Sequence, residues 1–123
     1  MTDRDLRMVY RDIPSAGMRC KSGCSDCCGP VPWSDAEIAR VAVPLHAEWI
    51  DLFGVRALQD PLTGKCPFVT PAGCAVYDRR PFMCRLFGST PSEPRLACPH
   101  GCRPSRTLTA PQAAALTCRY RGA

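Results

Sequence analysis

The sequence predicts a small, irregular, α-rich (α+β) domain with a kinked central helix, a short β-hairpin and long cysteine loops. Three observations point there. The chain has 123 residues, ten of them cysteine. Most of the cysteines lie in Pro- and Gly-punctuated turns rather than in apolar stripes. One segment, residues 35–53, keeps an extended helical apolar period. A chain this short builds a modest core, and a cysteine content near 8% marks a cysteine scaffold of one of two kinds. Disulfides serve in oxidising compartments and metal–thiolate sites in reducing ones. Residues 1–13 alternate acidic and basic side chains and contain no apolar run of the secretory type. The expectation is therefore a cytoplasmic protein whose domain is stabilised by metal. No stretch approaches the about 18 apolar residues of a membrane span.

Residues 1–18 read as a charged N-terminal arm and 19–123 as a single cysteine-cluster domain. The domain opens on Cys20-Lys-Ser-Gly-Cys24-Ser-Asp-Cys27-Cys28, four thiols in nine residues with almost no apolar neighbours to bury them. Such a loop can turn its sulfurs inward around a cation. Adjacent side chains diverge, so Cys27 and Cys28 are expected to face different partners.

The next element starts at Ser34-Asp35-Ala36-Glu37, a capping box, with Trp33 placed to staple onto Ile38. The apolar set Ile38, Val41, Ala42, Leu45, Trp49, Leu52 and Phe53 follows a helical period. Pro44 lacks an N–H and must kink or split that helix, which gives segments near 35–43 and 45–53, closed at Gly54. His46 reads as a solvated helix residue. Cys66-Pro-Phe-Val and Cys74-Ala-Val-Tyr flank Thr70-Pro71-Ala72-Gly73, the pattern of a small hairpin with Cys66 and Cys74 near its ends. Pro81 suits a first helical turn. Cys84 then falls near a helix start, where the dipole and Arg85 favour the thiolate. Cys98-Pro-His100-Gly-Cys102 is a tight second cysteine turn, with His100 a conceivable nitrogen ligand. Thr109-Ala-Pro111-Gln112 opens a last helix through Ala113, Leu116 and Tyr120, in which Cys118 reads as a packed thiol.

Nothing else carries chemistry. There is no phosphate-cradling glycine loop, no His-Glu-x-x-His and no nucleophile elbow. Only two histidines are available for acid–base work, so an enzymatic role is not the expectation. The formal net charge is +5, which could suggest nucleic acid. A divalent ion held by four thiolates subtracts about two charges, however, and Arg19, Arg79, Arg80 and Arg85 lie near cysteines in the sequence. The chain also lacks the aromatic platforms on which single strands stack. Nucleic acid is not the expected partner; a protein partner is compatible.

These motifs resemble the bacterial CxxCxxCC cysteine-cluster family of zinc- or iron-chelating proteins. The resemblance runs from Cys-x3-Cys-x2-Cys-Cys at 20–28 through Cys66-Pro-Phe, Gly73-Cys74-Ala-Val-Tyr77-Asp-Arg-Arg80-Pro81 and Cys84-Arg85. It implies metal binding, with no reaction attached. The candidate ligands are Cys20, Cys24, Cys27, Cys28, Cys66, Cys74, Cys84, Cys98 and Cys102, with Arg80, Arg85 and Tyr77 as supporting neighbours. Zinc favours four ligands drawn from two knuckles. A 4Fe–4S cluster also takes four thiolates, and a compact loop plus a distant Cys-Arg suits it slightly better. Both stay open, as do two readings of purpose: a structural zinc module serving as a protein-interaction adaptor, and an accessory of electron transfer or of an enzyme.

Overall fold

The computed structural model describes residues 2–14, 29–52 and 54–122. The four-cysteine loop at 20–28, and with it the readings made for Cys20, Cys24, Cys27 and Cys28, lies outside the described residues. The chain divides into two compact units, one formed by its two ends (Met1–Cys20 and Phe82–Ala123) and one by Lys21–Pro81.

The unit formed by the chain ends is helical. Helix α1 spans Asp3–Arg11, an element that the reading of a loosely packed charged arm does not contain. Thr2 caps it: its Oγ1 accepts from the Asp5 amide, while the Asp5 carboxylate accepts from the Thr2 amide at 2.9 Å. Asp3 and Asp5 in the first turn and Arg11 in the last complement the helix dipole. Leu6 and Val9 on α1, and Ile13 just beyond it, recur at helical spacing and are buried, so the charged residues occupy only the outer faces. Helix α2 (Asp35–Ile38) belongs to the other unit; α3 (Phe82–Leu86) and α4 (Ala110–Gly122) complete this one. Thr109 and Gln112 cap α4 as the sequence predicts, with Thr109 N donating to Gln112 Oε1 at 2.8 Å. Val9, Ile13, Phe82, Leu86, Leu108, Ala113 and Leu116 form a single buried cluster. In it the Phe82 ring lies nearly parallel to that of Tyr120, with centroids 4.4 Å apart. Cys118 points off this face and is exposed, which corrects its reading as a packed thiol. On α4 the buried stripe is Ala113 and Leu116, and Cys118 is two residues past Leu116, about 200° round the helix. Residues 88–108 are pinned by Gly88 N donating to Leu96 O (2.6 Å) and Leu108 N to Ser89 O (2.7 Å), over the fully buried Ser89 and Thr90.

The second unit is built on two hairpins and one helical turn. α2 covers only Asp35–Ile38. Its capping box is formed: Ser34 N donates to Glu37 Oε1 at 3.0 Å, and Ser34 Oγ accepts from Glu37 N. Glu37 is thereby buried with its carboxylate satisfied. Strand β1 (Glu48–Leu52) pairs antiparallel with β2 (Val55–Gln59), from Glu48 opposite Gln59 to Leu52 opposite Val55, and Gly54 at φ +81° closes the turn. The kinked helix expected over 35–53 is therefore replaced by one turn of helix and a strand. Pro44 cannot donate, the backbone reverses through His46 at φ 69°, and the Trp49-Ile50 pair and Val55 suit a pleated surface. His46 is exposed, in a turn and not on a helix. The predicted small hairpin is present: β3 (Val69–Thr70) pairs with β4 (Gly73–Cys74), Val69 opposite Cys74. Thr70 Oγ1 donates to Gly73 O at 2.8 Å, and Gly73 adopts φ +119°, which only glycine takes without strain. Trp33, Leu58 and Phe68 make the core, with Ile38, Trp49 and Cys66 packed against it. The Trp33 and Phe68 rings meet at 5.6 Å, tilted by 50°. No helix among the described residues is long and apolar enough to cross a membrane.

Candidate metal centre

The described cysteines Cys66, Cys74, Cys84, Cys98, Cys102 and Cys118 are thiols not joined in disulfides. Their settings differ. Cys66 is half-buried against the Trp33 cluster, and its carbonyl accepts from Val69 N at 3.2 Å, leading the chain into β3. Cys74 ends β4 and is half-buried. Cys84 is the third residue of α3, again half-buried, so it does lie near a helix start, though the helix is only five residues long. Next to it, the Arg85 guanidinium stacks over the Tyr10 ring at 4.1 Å. Arg80 stacks over the Tyr77 ring at 3.8 Å, and its Nε donates to Tyr77 O at 2.9 Å. All three supporting candidates thus have geometrically defined partners, and sequence reasoning did not foresee Tyr10 as one of them.

Cys98 and Cys102 come together. The turn between them closes through Gly101 N donating to Cys98 O at 3.0 Å, with Gly101 at φ +75°. That left-handed residue aims successive amides inward. The His100 N–H points at Cys98 Sγ, 3.4 Å away. Burial by itself would raise the Cys98 pKa. The amide of His100, the amide and thiol of Cys102 and the amide of Gly101 outweigh it, so Cys98 ionises below the ordinary thiol range. Stabilising a thiolate with backbone N–H groups is also what a metal-bound sulfur needs. His100 contributes through its main chain here. The Cys-x-x-Gly-Cys spacing carries the signal for those amides, because glycine is what permits the reversal.

We expect Cys98 in metal-depleted protein to react with iodoacetamide at a pH below that of an unperturbed thiol such as cysteine in a short peptide. A lowered pKa means more thiolate at a given pH, so the labelling midpoint, read by peptide mass spectrometry, shifts downward. A midpoint at or above the free-peptide value would contradict the amide-lined turn.

Among the described residues, no three His, Cys, Asp or Glu side chains gather into a set able to hold a metal ion. The Cys98–Cys102 pair supplies two soft donors with one sulfur already favouring its anion, a donor chemistry that fits zinc or iron. The chain belongs to the CxxCxxCC family, described as "Putative zinc- or iron-chelating domain", whose profile matches residues 19–103. That span takes in nine of the ten cysteines. No curated protein and no solved structure matches the chain.

Proposed function

We propose that this protein holds zinc or an iron–sulfur cluster through cysteine thiolates and serves a structural or accessory role. The observation that carries the reading is the Cys98–Cys102 turn, in which backbone amides and a neighbouring thiol favour the Cys98 anion. Cys98 and Cys102 would supply one knuckle. Cys20, Cys24 and either Cys27 or Cys28, with Cys84, are the proposed principal ligands, and Cys66 and Cys74 complete that site or a second one. When bound, zinc acts as a closed tetrahedral cross-link, whereas a 4Fe–4S cluster adds the capacity to exchange an electron. Arg80 and Arg85, held over Tyr77 and Tyr10, place positive charge near Cys84 in sequence and offset thiolate charge. A cytoplasmic setting is part of the proposal, since reduced thiols persist there.

The test is purification under nitrogen, followed by elemental analysis and visible absorbance. Iron with sulfide and a brown thiolate-to-iron band supports the cluster; zinc with a colourless solution supports the cross-link. Cys98→Ser with Cys102→Ser should lower the metal content of either form. Protein free of both metals after anaerobic purification would overturn the reading.

A further inference from the structure

The helical unit carries a groove that the metal chemistry does not use. It has a volume of about 390 Å³ and is lined by the end of α1, by α4 from Gln112 to Arg119, and by Arg106 and Leu108. Arg11, Arg106 and Arg119 line it, all exposed, over an apolar floor that includes the buried Leu108 and Leu116. One carboxylate faces the three guanidiniums. Asp12 Oδ2 lies 2.7 Å from Arg119 Nη1. The Arg119 hydrogen bond, joined by the charges of Arg119, Arg11 and Arg106, holds the Asp12 carboxyl below its ordinary pKa despite partial desolvation. All three cations therefore act on one point, and among the described residues that line the groove three guanidiniums face one carboxylate.

The imbalance extends to the whole unit. Residues 1–20 and 82–123 contain ten arginines against four carboxylates, whereas 21–81 contain six basic and seven acidic residues. The chain's formal excess of positive charge thus belongs to the segments that form the groove. The partner must offer anions spaced over several guanidiniums and an apolar group for the floor. A single small anion meets only the first demand, and exposed single pairs contribute little. Among the described residues, the lining offers no aromatic ring on which a base could stack.

We propose that this groove docks an acidic, partly aliphatic segment of a partner protein, with carboxylates on Arg11, Arg106 and Arg119 and an aliphatic side chain over Leu108 and Leu116.

The test is fluorescence anisotropy on the full chain at physiological ionic strength. The probe is a labelled twelve-residue peptide of Asp, Glu, Leu and Ala. Its carboxyl-to-amide analogue should bind about tenfold more weakly, and Arg11→Gln combined with Arg106→Gln should cost a similar factor. The melting temperature of that variant should hold, since both side chains are exposed. Asp12→Asn removes the competing carboxylate and should tighten binding about threefold. Asp3→Asn makes the same charge change about 13 Å away along α1, beyond the screening length of roughly 8 Å, and should leave affinity unchanged. Equal responses to Asp12→Asn and Asp3→Asn would reduce the effect to bulk charge and overturn the proposal. So would absent peptide binding, or a single-stranded oligothymidine that binds in place of the peptide with the same arginine dependence.

Discussion

Replacing Phe82 by alanine will cost about 3–5 kcal/mol of stability. Phe82 is wholly buried, and its ring lies nearly parallel to Tyr120 at a centroid distance of 4.4 Å. It sits in a cluster whose other buried members are Val9 on α1, Ile13 just beyond it, Leu86 on α3, Leu108, and Ala113 and Leu116 on α4. Truncation therefore removes the largest fully buried side chain of the cluster to which α1, α3 and α4 all contribute. Domains of this size are stable by only about 5–15 kcal/mol, so the variant should lose a large share of its stability and melt at a clearly lower temperature. Urea titration read by far-ultraviolet circular dichroism measures the loss, and Phe82→Leu should lose markedly less. A loss below about 1 kcal/mol for the alanine variant would mean that this cluster does not organise the helices.

Stripping the proposed metal should be at least as damaging. Among the described residues each unit's main apolar cluster is small, with seven buried residues in one and three in the other. Thiolate-bound structural zinc supplies about 10–16 kcal/mol in small modules, where metal-binding free energy is also folding free energy. Treating anaerobically purified protein with a strong chelator should abolish or sharply lower the thermal transition, and restoring the metal should bring it back. An unchanged melt after metal loss is verified by elemental analysis would remove the structural role, while leaving metal binding itself to the composition measurement. The two experiments separate fold from cofactor: Phe82→Ala should destabilise the protein with its metal content intact, and chelation should act without touching the apolar cluster.

Short-range chemistry made several elements legible. Ser34 with Glu37 and Thr109 with Gln112 specify caps through side chains three residues apart, and both boxes are formed. Thr70-Pro71-Ala72-Gly73 specifies its hairpin because Gly73 alone tolerates the backbone required there. Two elements were read otherwise. The Leu6, Val9, Ile13 spacing is a helix signal, obscured by the charges interleaved with it, and Thr2–Asp5 is a capping box closed by aspartate instead of glutamate. In 45–53, Leu45, Trp49 and Leu52 satisfy a helical period, yet Leu45 falls in the turn before β1, and Trp49 and Leu52 lie in one strand of a hairpin. Pairing with Val55–Gln59 decides between them, and a single segment's periodicity does not contain its partner. The site divides the same way. The Cys98–Cys102 turn is local and its glycine announces it. Which cysteines share a metal is a question of tertiary assembly, and the 20–28 loop on which the motif rests falls outside the described residues.

The Trp33 cluster has a practical corollary for spectroscopy. Both tryptophans of the chain, Trp33 and Trp49, belong to the unit Lys21–Pro81, while the unit formed by the chain ends has no tryptophan and carries tyrosines at positions 10 and 120. Indole emission is consequently a private reporter of one unit, and Trp33, 7% exposed, should shift to the red when its shelter opens. Circular dichroism, dominated by the helices of the other unit, follows a different population. Superimposable curves from the two probes would show one cooperative molecule, and displaced curves would show that its halves melt apart.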